Sequence, residues 1–116
     1  MLLLCYPNCS TCKKAQAFLD AQGIDYTLRN IKTENPTAAE LTAWHEKSGL
    51  PLKRFFNTSG LQYKALSLKD KLPQMQETEQ IELLATDGML VKRPLLIGAD
   101  FVLVGFKEAE WQSMKL

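Results

Sequence analysis

Two cysteines near the start of the chain, Cys9 and Cys12, are separated by the small hydroxyl residues Ser10 and Thr11. A short apolar run precedes the pair and a helix-forming stretch follows it, which predicts that the cysteines lie where a strand turns into a helix. At a helix N-terminus the unpaired backbone N–H groups and the positive end of the helix dipole favour a thiolate. Because the thiolate is the nucleophilic form of cysteine, the spacing predicts a reactive thiol with a second thiol one turn away.

The third cysteine, Cys5, ends the apolar run and is therefore predicted to be a buried, inert thiol, although a role as a further redox partner of Cys9 stays open. A zinc site needs about four ligands, and the sequence adds only Cys5 and the distant His45 to the pair. The spacing of the three cysteines also matches a radical-SAM iron–sulfur loop, but that chemistry requires a far larger barrel. We therefore predict a thiol redox site with no metal and no bound cofactor.

The composition is that of an ordinary globular protein. The 116 residues are 46% hydrophobic and 23% charged, which predicts a single domain over residues 1–116 with a core that needs no disulfide staples. A net charge of +1 indicates neither nucleic acid nor a membrane surface as a partner. No apolar run approaches the roughly 18 residues of a membrane span. Three cysteines confined to one short stretch do not resemble a secreted disulfide framework, so we predict a cytoplasmic monomer with reduced thiols.

The elements predicted around the pair begin with a βαβ unit. Residues 1–5 form a continuous apolar run that is typical of a strand buried on both faces. A helix is predicted over residues 13–22, with Gly23 as its stop, and a second strand over residues 25–31. A strand, a helix and a strand within about thirty residues favour a parallel pair with a right-handed crossover.

The middle of the chain, about residues 33–88, is predicted to be a helical insert without a strand. Thr37 and Glu40 fit a capping box for a helix that ends at Gly49. The other predicted elements of the insert are short helical pieces over 50–56 and 66–72, a loop over 57–60 and a helix over 77–86.

The end of the chain returns to β structure, with strands predicted over residues 94–97 and 101–104 and a short hairpin loop between them. A last helix over 107–114 is expected to place Trp111 and Met114 in the core. The order βαβ, insert, ββα predicts an α/β protein with a thioredoxin/glutaredoxin-like fold, in which a four-stranded mixed sheet is flanked by helices.

Three segments of the chain resemble the ArsC/Spx family: YPNCSTCKKA at residues 6–15, NTSG at 57–60 and DGMLVKRP at 87–94. That family joins glutaredoxin-type arsenate reductases, the Spx transcriptional regulators and many small proteins of undefined substrate. The resemblance runs over essentially the whole chain and keeps the spacing of the motifs. It implies a thioredoxin-like fold with a helical insert between the two β halves, which agrees with the order of elements above.

The resemblance also implies roles for particular residues. Cys9 matches the family's catalytic cysteine, and Cys12 matches the second cysteine of the Spx-like and reductase-like members. Arg93 and Pro94 match an Arg–Pro pair whose proline is cis and faces the active cysteine.

Four neighbours of the cysteines are expected to support the site. Asn8, Ser10 and Thr11 would contribute backbone N–H groups and a helix cap around the Cys9 sulfur. Lys13 is a candidate for lowering the thiolate pKa further, although a lysine at this position is more often a solvated part of a helix face.

The expected function is a thiol-dependent oxidoreductase that acts on disulfides or on glutathione mixed disulfides. Glutathione would be its co-substrate, and glutathione, glutaredoxin or thioredoxin would form the thiol system that reduces it. An alternative is an Spx-like redox-sensing regulator that binds the RNA polymerase α subunit, for which Gly49 falls near the glycine that Spx proteins use. A second alternative is an arsenate reductase, but Asn57 and Gly105 stand where two oxyanion-holding arginines are expected.

Overall fold

The protein is described from a computed structural model that covers residues 1–114 and 116. Its centre is a four-stranded sheet in the order β2-β1-β3-β4. The strands are β1 (Leu2–Cys5), β2 (Thr27–Asn30), β3 (Leu95–Ile97) and β4 (Val102–Val104). β1 runs parallel to β2, whereas β3 is antiparallel to both β1 and β4.

Six α-helices and three 3₁₀ turns are described around the sheet. The helices are α1 (Ser10–Ala21), α2 (Ala38–Ser48), α3 (Leu61–Ala65), α4 (Leu68–Lys71), α5 (Glu77–Thr86) and α6 (Glu108–Ser113). The 3₁₀ turns span Leu52–Phe55, Leu72–Gln74 and Gly88–Leu90. All elements between β2 and β3 are helical, apart from a single antiparallel bridge between Phe56 and Val91.

Alternate residues of β1 divide the core into two clusters, because successive side chains of a strand point to opposite faces of the sheet. Leu3 and Cys5 join Phe18 of α1 and Trp111 of α6 on one face. Leu4 points to the other face, where the helices between β2 and β3 cover it. Leu3, Leu4 and Trp111 are fully buried. β1 is thus anchored on both sides, which fixes the position of the turn that follows it.

The mixed four-stranded sheet and the long helical segment between its halves confirm the predicted fold class. The capping box of Thr37 and Glu40 is present, and Gly49 ends α2 in the left-handed region. The predicted helix over 77–86 is also found. Within the described residues, no helix is long and apolar enough to cross a membrane.

Three predictions about the elements were wrong in detail. α1 begins at Ser10 rather than residue 13, because the small side chains of its first turn continue the helix back to the cysteine. α3 was missed, since Leu61–Ala65 follows a glycine and shows no apolar periodicity. Met114, predicted to be in the core, is 40% exposed and lies just past the end of α6 at Ser113.

Candidate active site

Cys9 occupies the N-cap of α1, at the point where the turn after β1 meets the helix. Its backbone is extended, with φ −89° and ψ 119°, as is usual for a residue in this position. The Cys9 N–H donates to the carbonyl oxygen of Tyr6 at 3.0 Å, and the Cys9 carbonyl accepts from the Lys13 N–H at 3.1 Å. The turn and the helix therefore hold the Cys9 backbone from both sides, while its side chain stays half-buried.

The helix cap expected from Asn8, Ser10 and Thr11 differs from the arrangement found. Cys9 itself takes the capping position, and within the described chain its side chain makes no capping hydrogen bond. Asn8 lies in the turn, where its amide contacts the Tyr6 hydroxyl at 3.5 Å. Ser10 and Thr11 are the first two residues of α1, so their backbone N–H groups are among those that a helix leaves unpaired. Because α1 begins at Ser10, the cap position belongs to Cys9 and not to Asn8.

The three thiols are all free and differ sharply in exposure. Cys9 is half-buried, Cys12 is fully buried and Cys5 is 3% exposed. Burial of Cys5 was predicted and is confirmed. Only Cys9 can therefore meet a molecule from outside, whereas Cys12 can react only with a group that is already on the protein.

Hydrogen bonding between the buried thiols separates their acidities. The pKa of Cys12 is lowered, chiefly because the Cys5 thiol bonds to it and despite the opposing effect of burial. The Tyr6 backbone, the Cys9 thiol and the positive charge of Arg93 lower that pKa further. The pKa of Cys5 is raised, first by its bond to Cys12 and then by burial. The arrangement therefore favours a thiolate at Cys12, with the proton retained on Cys5.

The Arg93–Pro94 peptide bond is cis, as the resemblance implied. Pro94 is buried directly before β3, and Arg93 is half-buried. Arg93 donates from Nη1 to the Met89 carbonyl oxygen at 3.4 Å, and its guanidinium carbon lies 5.5 Å from the centroid of the Tyr6 ring. Its Nε is buried and has no hydrogen-bond partner in the part of the chain that the structure describes. Arg93 thus reaches back from β3 toward the turn that carries Cys9.

A cleft of about 600 Å³ lies between this turn and the segments that face it. Its lining comprises Cys9, Thr11, Lys32, Asn57, Ser59, Gly60, Leu61, Gln62, Asp87, Met89, Lys92 and Arg93. Of the predicted site residues, the cleft brings together Cys9, Thr11 and Arg93. Cys12 lies buried behind Cys9.

The remaining predicted residues lie outside the lining of the cleft. Lys13 is exposed on α1. Ser10 and Asn8 are likewise exposed, and Pro94 is packed below the surface of the cleft.

The wall opposite Cys9, formed by residue 32 and the 57–62 and 87–93 stretches, is held by a short antiparallel contact between residues 55–57 and 90–92. The Asn57 N–H donates to the Leu90 carbonyl oxygen at 2.8 Å, and the Lys92 N–H donates to the Phe55 carbonyl oxygen at 2.8 Å. Gly88 packs so closely on the Ile31 backbone that a Cβ atom there would overlap the Ile31 carbonyl. The wall therefore depends on contacts between segments that are far apart in the sequence.

Sequence reasoning did not identify Lys32 and Lys92 as site residues. A usable signal existed for Lys32, because β1 and β2 are parallel and their carboxyl ends lie at the same edge of the sheet. Cys9 follows β1 and Lys32 follows β2, so the two had to be neighbours. Lys92 directly precedes Arg93 within the motif that was singled out. Gln62 gave no comparable signal, since its position depends on α3.

The positions expected to hold oxyanion arginines have other structural roles. Asn57 is 9% exposed and lines the cleft with an uncharged amide. Gly105 has φ +75°, a conformation that L side chains rarely adopt, and a Cβ there would lie 3.4 Å from Lys92 Cε. Within the described residues, no group of three or more His, Cys, Asp or Glu side chains is arranged to hold a metal ion.

A family model and the sequences of known proteins point to the same group of relatives. The model of the ArsC family matches residues 4–114. The Bacillus subtilis (strain 168) protein YusI, described as uncharacterized, is 51% identical over 108 residues, which cover 93% of this chain and 92% of YusI. The global transcriptional regulator Spx of Staphylococcus aureus is 30% identical over 105 residues, covering 90% of this chain and 78% of Spx.

Solved structures agree with this result. The crystal structure of a Bacteroides fragilis protein described as ArsC family related has a TM-score of 0.94 and 58% sequence identity. The match covers 97% of this chain and 95% of that protein. The similarity therefore extends over the sheet, the helical segment and both sides of the cleft.

Proposed function

The chain belongs to the ArsC family, and we propose that it is a thiol-dependent oxidoreductase that reduces disulfides or glutathione mixed disulfides. Cys9 is the attacking thiol and Cys12 is the resolving thiol. Glutathione is the proposed co-substrate, with glutaredoxin or thioredoxin as alternative reductants. The cis Arg93–Pro94 turn lies beside the cleft and would offer its backbone to an extended substrate segment.

The reaction proceeds by two thiol–disulfide exchanges. In the first, Cys9 passes its proton to the neighbouring Cys12 thiolate and attacks one sulfur of the substrate disulfide, so that a Cys9–substrate disulfide forms. The other half leaves as a thiolate and takes up that proton, which leaves Cys12 as a thiolate again. In the second, the Cys12 thiolate attacks Cys9 Sγ and expels the bound half, so that a Cys9–Cys12 disulfide remains. Two thiols of the reducing system then restore both cysteines. The substrate gains two electrons, and the reducing thiols lose two.

The difference in exposure between the two cysteines carries this proposal. Cys9 lines the cleft, whereas Cys12 is fully buried one helical turn further on. An attacking group must reach the substrate, and a resolving group need reach only Cys9. The lowered pKa of Cys12 supports the second role, because a thiolate is then available for resolution near neutral pH.

Turnover of a glutathione mixed disulfide by wild type and by Cys9→Ser tests the proposal. We expect Cys9→Ser to lose activity by several orders of magnitude, because serine supplies no thiolate. Cys12→Ser should instead accumulate a glutathionyl adduct on Cys9 when glutathione is limiting. Thermal melting of each variant controls for folding. Cys9→Ser activity equal to that of wild type would rule out the proposed role of Cys9.

A second candidate function, favoured by the similarity to Spx, is a redox-sensing regulator that binds RNA polymerase. Gly49 supports it, since this residue is exposed at the end of α2 with open space around its Cα. A pull-down with purified RNA polymerase α subunit tests the idea. Gly49→Arg should abolish capture, and Gly23→Arg is the matched control because Gly23 is also exposed, left-handed and unobstructed. No capture by wild type would rule out the regulator.

Arsenate reduction is a weaker candidate. A tetrahedral oxyanion needs several charge-assisted donors, and the two expected arginine positions are Asn57 and Gly105. We expect little arsenate turnover in an assay that supplies glutathione and glutaredoxin. Turnover comparable to that of a mixed disulfide would contradict the assignment to disulfide substrates.

A further inference from the structure

The cleft around Cys9 carries an excess of positive charge. Lys32, Lys92 and Arg93 line it together with one carboxylate, Asp87. The three cations come from two segments, one after β2 and one before β3. The chain as a whole has a net charge of only +1. The charge in the cleft is therefore a local feature that the composition does not reveal.

The charges in the cleft are not neutralised by ion pairs. Across residues 1–114 and 116, the single salt bridge joins Arg29 to Glu40, away from the cleft lining. Asp87 is engaged locally, because its Oδ1 accepts the Met89 N–H at 2.8 Å as the cap of a 3₁₀ turn. The carboxylate thus has a structural role, while the amino groups of the lysines remain available to a ligand.

Two of the cations lie close to the ring of Tyr6, in the turn that carries Cys9. Lys32 Nζ lies 5.9 Å from the centroid of the Tyr6 ring, and Arg93 Cζ lies 5.5 Å from it. Aromatic faces attract cations at such distances. Because the Tyr6 carbonyl also accepts the Cys9 N–H, both cations lie next to the turn that carries the attacking thiol.

We propose that this cleft selects anionic disulfides and that Lys32 and Lys92 are the residues that make the selection. The proposal rests on the proposed function and names its substrate class: a disulfide with carboxylates close to the sulfur, such as an acidic peptide disulfide. The volume of about 600 Å³ falls in the range of small-molecule sites. Because Cys9 lines the same cleft as the three cations, an anionic group close to the sulfur of a disulfide would come within their reach.

Positive charge near Cys9 can raise its reactivity in two ways, by stabilising the thiolate and by attracting an anionic substrate, and the test must separate the two. Cations also stabilise a thiolate, which increases its reaction with every electrophile, whether neutral or charged. Attraction of an anionic substrate acts only on anionic electrophiles. The ratio of rates for an anionic and a neutral electrophile of similar size therefore reports selection alone.

Iodoacetate and iodoacetamide form such a pair, since both alkylate a thiolate with loss of iodide and differ mainly in charge. Alkylation of Cys9 is followed by peptide mass spectrometry in wild type, Lys32→Gln and Lys92→Gln. Lys14→Gln is the control, because Lys14 is exposed on α1 outside the cleft. The reaction needs no turnover, so it gives a result even if the protein reduces no disulfide.

We expect the iodoacetate-to-iodoacetamide ratio of wild-type Cys9 to exceed that of a small neutral thiol. Each lysine variant should lower the ratio by roughly two- to five-fold, the size expected for a partly exposed charge pair, whereas Lys14→Gln should leave it unchanged. The preference should also weaken as salt is raised. A wild-type ratio no higher than that of the small thiol, or unaltered ratios in both cleft variants, would overturn the proposal.

A parallel series with disulfides connects the charge preference to the reaction. Dithiodipropionate, hydroxyethyl disulfide and cystamine are of similar size and are anionic, neutral and cationic. We expect kcat/KM to fall in that order in wild type, and the dithiodipropionate-to-cystamine ratio to drop in Lys32→Gln and Lys92→Gln. Absence of turnover with all three and with a glutathione mixed disulfide would refute the proposed function even if the alkylation preference remained. Turnover of all three at equal rates would refute charge selection but not the proposed function.

Discussion

The two walls of the cleft are built in different ways. The wall with Cys9 comes from one continuous stretch, in which β1, a short turn and α1 follow one another. The opposite wall comes from residue 32, the 57–62 stretch and the 87–93 stretch, which tertiary contacts bring together. In the first wall a local pattern positions the nucleophile. In the second, side chains that face the substrate depend on the packing of the whole helical segment.

This difference separates chemistry from selectivity. Changes in the Cys9 wall should alter how fast a disulfide reacts, since both reacting thiols lie there. Changes in the opposite wall should alter which disulfide reacts, because its charges meet the parts of the substrate away from the sulfur. The two walls should therefore respond differently to matched substitutions.

The largest expected effect on stability is that of Gly88→Ala in the opposite wall. An added Cβ would overlap the Ile31 carbonyl, and backbone cannot move aside as a flexible side chain can. We expect a loss of at least about 2 kcal/mol of unfolding free energy, as in overpacked sites. Gly23→Ala beside the Cys9 wall is the control, with open space but a left-handed φ of +68°, and should cost only about 1 kcal/mol. Urea denaturation that ranks the variants in the opposite order would contradict the close contact.

In the Cys9 wall, Cys5→Ala should have a smaller effect, on the pH dependence of the reaction. The hydrogen bond from the Cys5 thiol is the main reason why the Cys12 pKa is lowered, so removal of that thiol should raise the Cys12 pKa. Resolution of a Cys9 mixed disulfide should then require a higher pH, and below that pH it should slow down. Cys5→Ser retains a hydroxyl donor and should restore part of the wild-type profile. Stopped-flow release of the bound thiol across pH provides the measurement, and identical profiles for Cys5→Ala and wild type would exclude this role.

The smallest effect, on the free energy of unfolding, is expected from Glu40→Gln. Glu40 does not line the cleft but helps to hold the segment that follows Lys32 in the opposite wall. Glu40 accepts from Arg29 at 2.7 and 2.9 Å, and Arg29 also donates to the carbonyl oxygens of Glu34 and Asn35, just after Lys32. The pKa of Glu40 is lowered to about 2 by this hydrogen bond to Arg29. Glutamine can still reach back to the Thr37 N–H, so the substitution removes mainly the charge. A loss of less than about 1 kcal/mol is expected at neutral pH, because the pair is partly exposed.

The sign of the Glu40 effect with pH follows from its depressed pKa. The carboxylate contributes its stability above its ordinary pKa of 4.5, and that contribution is lost as the pH falls toward about 2. The gap in unfolding free energy between wild type and Glu40→Gln should therefore narrow over this range. A gap that widens on acidification would mean that the ion pair does not stabilise the folded chain.

The contrast between the walls also explains what the sequence could predict. The strand, turn and helix around Cys9 are local, so periodicity and residue types located them, and burial of Cys5 followed from the apolar run. The family's motif supplied Arg93 and the cis Pro94. Asp87 and Met89 lie in the same motif as Arg93 but were not assigned to the site. Gln62 could not be assigned, because its place depends on α3 and on long-range packing. Lys32 could have been predicted as a site residue from the parallel pairing of β1 and β2.

The most direct test of the two thiol roles uses the reagent dithiobis(nitrobenzoate), whose reaction releases a coloured thiol at each exchange. Reduced wild type should release two equivalents in succession, the first as Cys9 attacks and the second as Cys12 resolves, leaving a Cys9–Cys12 disulfide. Cys12→Ser should release one equivalent and retain the adduct on Cys9, as intact-mass measurement would show. A second equivalent released by Cys12→Ser, or unchanged rapid release by Cys9→Ser, would contradict the assignment of attack to Cys9 and resolution to Cys12.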